Sequence, residues 1–400
     1  MFILYLPLFH CKENHRRSAL QSSRERALSS FAGDAFCKGF NPSQQKLHFL
    51  PQQLPGAALS RESASLPARN LQAPKTRDRA MHSQAEKPLK SLAPMLARRA
   101  NMKSITRVVV YLSKENSCPQ RARFQQSIVG HFCTGDEDSW MVNCALDQRR
   151  FLISDREFAG SNRVLLQRPP FCPIKHLTEA QASSLPAETQ ERGVDVGVAI
   201  LLQSANQKVL LTRRSKTLSI FPNIWVPPGG HIEQDEQLLD AGLRELGEET
   251  GLWLEDGEFS WRPLALWESV YPPMLSRGLP KRHHVVVYLL LLSRESHQQL
   301  QVRLKPNEAE VSAYAWLDEP VLASIAATQN EIGATSAMAG DLPPAVSITE
   351  LQHGSAKTVA IPTTMFLSSA PLQGEDVERV STGTKFALRL WLDTLAVQAE

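Results

Sequence analysis

Long apolar runs are missing from this 400-residue chain. The two conspicuous ones, 2–9 and 285–292, are eight residues each, against the roughly twenty needed to span a bilayer as a helix. No positive side chain precedes the first run, so it makes a poor secretory signal. Cysteine is scarce. The six residues (Cys11, Cys37, Cys118, Cys133, Cys144, Cys172) show no Cys-x2-Cys spacing, which excludes a zinc knuckle or a disulfide scaffold. The expectation is a reducing, cytoplasmic setting with no membrane role. The last four residues, Val397-Gln398-Ala399-Glu400, are not a peroxisomal or reticular address.

Acidic residues are scarce at one end only. Residues 1–107 hold 18 Lys/Arg against 6 Asp/Glu, a charge of +12, and the remainder carries −9. Residues 1–103 are rich in Ser, Arg, Gln and Pro without a sustained period, and read as a disordered basic arm. Such a composition also suits a mitochondrial transit segment, although nothing marks a cleavage site. The anionic partner of the arm is not identified by its charge.

Order is expected from about 104. Residues 104–175 read as a small β-rich unit, with a hairpin over Met141–Leu146 and Arg150–Ile153. The prolines of Gln167-Arg168-Pro169-Pro170-Phe171-Cys172-Pro173 end it. After a linker at 176–192, strands are expected at Val194–Leu202, Val209–Thr212, Phe259–Tyr271, His284–Leu292 and Val311–Leu317. A helix follows at Pro320–Ala327, so 193–327 form one α/β domain. Residues 328–400 read as loop and docking segment, closed by an amphipathic helix over Val377–Ala396.

What the chain does have is Gly230, five residues, Glu236, seven residues, then Arg244-Glu245-Leu246-Gly247-Glu248-Glu249-Thr250-Gly251-Leu252. A helix over 235–250 places Glu249 about 40° and Glu248 about 60° from Glu245, with Leu239, Leu243 and Leu246 on another side. Like charges at these spacings repel. Oxygen donors in this pattern suit a hard divalent cation better than a solvated face, and the flanking glycines suit a turn and a C-cap. Glu236 falls opposite Glu245, which makes it structural. Arg244 is placed to orient a glutamate.

Every fixed position matches the Nudix box, and the chain resembles the Nudix hydrolase family on those residues. The resemblance implies an α/β/α sandwich with a mixed sheet, here preceded by the small β-rich unit and the arm. It implies Mg²⁺ or Mn²⁺ held by Glu245 and Glu249, with Glu248 sharing the cluster, and hydrolysis of nucleoside diphosphate-linked compounds. Trp225-Val226-Pro227-Pro228-Gly229-Gly230 is similar to the family's approach to the box, so Gly229 and Gly230 are expected beside phosphate or metal. Arg213 and Arg214 are candidate phosphate contacts, and Trp267, Tyr271 and Trp316 candidate base contacts. Glu310 is a candidate further ligand or general base, with Glu308 close enough to compete. His283 and His284 are expected to be structural.

Outside the box, residues 167–173, Trp267–Pro273 and Val380–Leu388 are similar to a vertebrate Nudix subgroup that hydrolyses the 7-methylguanosine cap of messenger RNA to release 7-methyl-GDP. The partner implied is a nucleotide or a capped RNA, with no obligate protein partner. Other readings stay open: a hydrolase of coenzyme A derivatives or dinucleotides, or a catalytically weak RNA-binding or scaffold protein. RNA phosphates would need cations from the arm or from a local patch, Arg277, Lys281 and Arg282.

Overall fold

The computed structural model describes residues 107–329, 342–373 and 376–399. The expectations for the arm 1–103 and for the centre of the loop after 328 lie outside the described residues. Among the described residues, no helix is long and apolar enough to cross a membrane.

The first strands and helix are β1 (Val109–Ser113), β2 (Gln120–Arg121), α1 (Ile128–Phe132), β3 (Ser139–Asp147), β4 (Arg150–Ser154) and β5 (Asn162–Gln167). Two short helices, α2 (Glu179–Ser183) and α3 (Ala187–Glu191), lead to β6 (Asp195–Gln203), β7 (Val209–Arg214), β8 (Ile224–Val226) and β9 (Gly229–His231). Then come α4 (Leu238–Thr250), β10 (Phe259–Tyr271), β11 (Arg282–Ser293), α5 (His297–Arg303), β12 (Val311–Leu317) and α6 (Glu319–Ala327). The chain ends with β13 (Ala345–Gln352), β14 (Ser355–Pro362), α7 (Thr363–Leu367), β15 (Arg379–Val380) and α8 (Thr382–Ala399).

All the strands belong to one mixed sheet, whose order runs β14-β13-β12-β7-β6-β11-β10-β5-β3-β4-β1-β2. The strands between 109 and 167 join the same sheet as those after 195. β5 lies parallel to β10 (Leu165↔Ala265), and β1 meets β6 through Val109↔Asp195, so seven strands from β6 round to β1 form a closed ring. Closure leaves fewer unpaired strand edges.

Between its polar ends, Asp195 and Gln203, β6 is apolar because both its faces are covered. Val196, Val198, Ile200 and Leu202 pack into one core with α4 residues Ala241 and Leu246 and with the early strands. Ala199 and Leu201 face a second core with α6 and α8, where Trp225, Phe366, Phe386 and Trp391 are fully buried. Burying each such side chain stabilises the fold by roughly 1.5–3 kcal/mol. These layers are the α/β/α sandwich.

A buried carboxylate ties the first strands to the sheet. Glu268 is 0% exposed and accepts from the Ile128 and Val129 amides at 2.8 and 2.9 Å. His283 Nε2 lies 3.2 Å from the same carboxylate, and His283 Nδ1 lies 2.6 Å from the Phe124 carbonyl. Burial alone pushes the Glu268 carboxyl up, but His283 and the two amides hold it below the ordinary carboxylate range. His283 is therefore structural.

Three expectations need correcting. The box helix starts at Leu238 rather than 235, because Asp235 is left-handed (φ 67°) and the Glu236 carboxylate folds back to the Glu233 amide at 2.8 Å. The last helix starts at Thr382 rather than 377. Arg379 and Val380 extend beside Ile224 and Trp225, and Ser381 Oγ then accepts the Thr384 amide at 3.0 Å as a cap. Residues 345–362 are a hairpin where only loop and docking segment were read. Its polar, half-exposed strands carry little periodic signal, but the turn at His353 (φ 52°) and Gly354 (φ 77°) is a favoured hairpin type.

Candidate active site

Gly229 and Gly230 lie in β9, which runs antiparallel to β6 (Ala199↔Gly229, Val198↔Gly230, Gly197↔His231). They are needed for close approach. A Cβ on Gly229 would stand 2.2 Å from the Val198 carbonyl oxygen, and one on Gly230 would stand 2.4 Å from the Glu245 carboxylate. The box helix then leaves β9 and ends at Gly251, a left-handed C-cap (φ 71°) whose amide donates to Gly247 at 2.8 Å.

Arg244 holds the approach together. It donates to both Glu236 oxygens at 2.6 and 3.0 Å, to Glu245 at 3.0 Å, to Glu248 at 3.1 Å and to the His231 carbonyl at 2.8 Å. The Arg244 bonds hold the Glu236 carboxyl below its ordinary range. Glu236 is thus the strut of the turn, and Arg244 orients glutamates.

Glu249 is 7% exposed. Burial pushes its carboxyl up to about 8; Arg214 and the Gly229 amide pull it down, while Glu245 and Glu310 push it further up. Burial also raises Glu245, against the bond from Arg244. Glu310 thus acts electrostatically on both Glu245 and Glu249. Glu308 is drawn away, its carboxylate accepting the Gly354 amide of the hairpin turn at 2.7 Å.

Crowded carboxylates of raised proton affinity fit a divalent cation, which would relieve their repulsion. Among the described residues, no three His, Cys, Asp or Glu side chains stand as a closed ligand set in this arrangement, with Glu245 and Glu248 drawn to Arg244. The residues that would hold the ion are Glu245 and Glu249, with Glu248 at the rim.

A cleft of about 340 Å³ opens beside β9. Gly229, Gly230, Arg214 and Trp267 line it, as do Phe171 and Phe221. Arg214 donates to the Ile220 and Phe221 carbonyls at 3.2 Å each, shaping the loop that presents Phe221. Trp267 is 4% exposed and lies tilted over Phe386 at 5.3 Å, so little of its ring is open to a ligand. Phe171 and Phe221 went unnoticed in the sequence. The prolines around Phe171 were a usable signal, as they take that segment out of the strand ladder, whereas nothing local singles out Phe221, which adopts φ 49°.

Other expected contacts are corrected. Arg213 does not reach the cleft: it is buried, pairs with Glu350 at 2.9 Å and Glu378 at 3.0 Å, and lies over the Trp225 ring. Tyr271 is not in the cleft lining and packs edge-on against Phe221 at 5.0 Å. Trp316 lines a separate hollow with Tyr314 and His297. His284 does face the cleft, and burial, followed by the cationic groups around it, lowers its pKa to about 3.

A carboxylate-bearing helix entered through two glycines, on a mixed sheet between helical layers, defines a Nudix hydrolase. Residues 192–335 match the NUDIX domain, and the chain belongs to this family, whose members generally use divalent metal ions. It is 57% identical over 292 residues to "m7GpppN-mRNA hydrolase NUDT17" of Xenopus laevis, covering 73% of this chain and 97% of that protein. The Danio rerio protein of the same name is 53% identical over 300 residues (75% and 99%), and the Homo sapiens one 50% over 295 (72% and 88%). Among solved structures, the MutT protein of Methanosarcina mazei Go1 is 20% identical, with a TM-score of 0.25 over 33% of this chain and 80% of that one.

Proposed function

We propose that this Nudix hydrolase cleaves the 7-methylguanosine cap of messenger RNA, releasing 7-methyl-GDP and a 5′-monophosphate RNA. The observation that carries the reading is the identity of 50–57% with proteins named as m7GpppN-mRNA hydrolases, over nearly their whole length in three of four cases. The mostly apolar cleft of about 340 Å³ at Gly229 and Gly230 supports it, with Phe171 and Phe221 in its lining for stacking. Mg²⁺ or Mn²⁺ at Glu245 and Glu249 would neutralise phosphate charge and lower the pKa of bound water.

In the proposed reaction, water adds through oxygen to a bridging phosphorus while the bond from that phosphorus to the RNA-side phosphate oxygen breaks. Arg244 holds Glu245 and Glu248 at the ends of two salt bridges. The Gly229 amide and Arg214 favour the charged form of Glu249 and partly offset the burial that raises its pKa to about 8. Glu310 takes the proton of the attacking water. A cytoplasmic location belongs to the same proposal and is supported by the unpaired Cys118, Cys133, Cys144 and Cys172.

The test is turnover of purified protein, with Mg²⁺ or Mn²⁺, on m7GpppG-capped RNA, coenzyme A and dinucleoside polyphosphates. Capped RNA is expected to give the highest kcat/KM, with 7-methyl-GDP as product. Preferred cleavage of coenzyme A would overturn the reading.

A further inference from the structure

Alternate residues of β11 build the floor of the cleft. Exposure alternates from Arg282 to Val287, and Arg282, His284, Val286 and Tyr288 all line the cleft, while His283, Val285 and Val287 turn away into the core. From Tyr288 to Arg282 the floor extends for about 20 Å. Its Tyr288 end meets Trp267, with Ser381, Thr382 and Gly383 alongside. Its other end is basic, with Arg192, Arg214, His231, His284 and Arg282 in the wall.

Two carboxylates share that wall, and both are already engaged. Asp195 is paired with Arg107 at 3.1 Å and Arg192 at 2.9 Å. Glu268 is enclosed by two amides and His283. Arg214 is held by backbone carbonyls. Arg282 differs: half-buried in the cleft and paired through its backbone with Tyr271, its side chain makes no hydrogen bond or ion pair with any described residue. Its neighbours in sequence are not equivalent. Arg277 pairs with Asp376 at 3.2 Å, Lys281 is exposed, and neither lines the cleft.

The basic end begins one residue from the catalytic glutamates, since His231 follows Gly230, which abuts Glu245. A guanidinium without a resident partner, in a mostly apolar cleft, fits an oxyanion that arrives with the ligand. We infer that Arg282, two residues along β11 from His284 on the same face, binds a non-scissile phosphate of the substrate. This rests on the nucleotide-hydrolase reading above and adds the phosphate that the box does not reach. The phosphate comes either from the polyphosphate bridge or from the RNA chain beyond the first nucleotide.

R282M and R282K separate these outcomes. Binding of inorganic tripolyphosphate is measured by calorimetry without added divalent cation. KM and kcat are measured on m7GpppG and on m7GpppG-capped RNA with Mg²⁺. R282M is expected to melt with wild type, because the guanidinium has no partner to lose. Its Kd for tripolyphosphate and KM for m7GpppG should rise roughly 10- to 100-fold, with kcat little changed and R282K restoring part of the loss. A KM rise confined to capped RNA supports the site and places the phosphate in the RNA chain. Unchanged tripolyphosphate affinity together with unchanged KM on both substrates overturns the inference. If wild type cleaves neither cap substrate while R282M still loses tripolyphosphate, the cap reading fails and this one stands.

Discussion

Glu249, proposed above as a metal ligand, would join stability to catalysis in one carboxyl group. Its folded pKa of about 8 lies above the value near 4.3 of an unfolded chain. Between those values the folded state therefore holds a proton that the unfolded state has released, so this group's contribution to stability falls as pH rises from about 4.3 to about 8. Thermal melts of the cation-free protein at pH 5 and pH 8, beside Glu249→Gln, should show a drop specific to wild type. A divalent cation should raise Tm more at pH 8 than at pH 5. Equal pH dependence in the two proteins would count against the assignment. The same variant should stay folded and lose on the order of 10³-fold in kcat, since the missing charge supplies several kcal/mol of transition-state stabilisation.

At the scale of elements, β9 offers a contrast between adjacent glycines. Gly229→Ala places a methyl 2.2 Å from the Val198 carbonyl, against backbone that cannot yield. It should cost at least 1–3 kcal/mol, lowering Tm by several degrees. Gly230→Ala meets only the end of the Glu245 side chain at 2.4 Å. Tm should barely move while kcat falls on the order of 10²-fold, because the glutamate swings out of place. Loss of fold in both variants would refute the distinction. These elements were largely legible in the sequence: the box spacing marked α4, and the apolar runs marked β6, β11 and β12. Arg213 was misread because its partners, Glu350 and Glu378, lie more than a hundred residues away and no local pattern announces them. The cleft wall was illegible for a similar reason, as Phe171, Phe221 and Arg282 meet only through the sheet order.

For the whole molecule, the seven-strand ring makes the early strands part of the enzyme body. A fragment beginning at residue 176 strips β5 from β10 and leaves the buried Glu268 without its two amide donors. It should lose solubility or melt well below the full chain; a fragment equally stable to the full chain would show two independent units. Removal of residues 1–103, by contrast, should leave Tm and turnover of m7GpppG nearly unchanged, since that composition buries little apolar surface. A large fall in Tm would contradict this. If the arm also grips RNA, its removal should flatten the salt dependence of capped-RNA affinity and leave that of the dinucleotide alone.

The parallel pairing of Leu165 with Ala265 has a consequence on the ribosome. Strand β5 is made about a hundred residues before its partner, an interval of roughly 5–20 s at ordinary elongation rates. Throughout it the nascent chain presents Leu165, Leu166 and Gln167 on an unpaired edge, as does Val109 of β1, which waits for β6. Such an edge recruits other nascent chains as readily as its own strand. The yield of this protein in a cell should therefore depend on holdase chaperones and on the pace of translation between codons 168 and 265, more than on the stability of the finished enzyme.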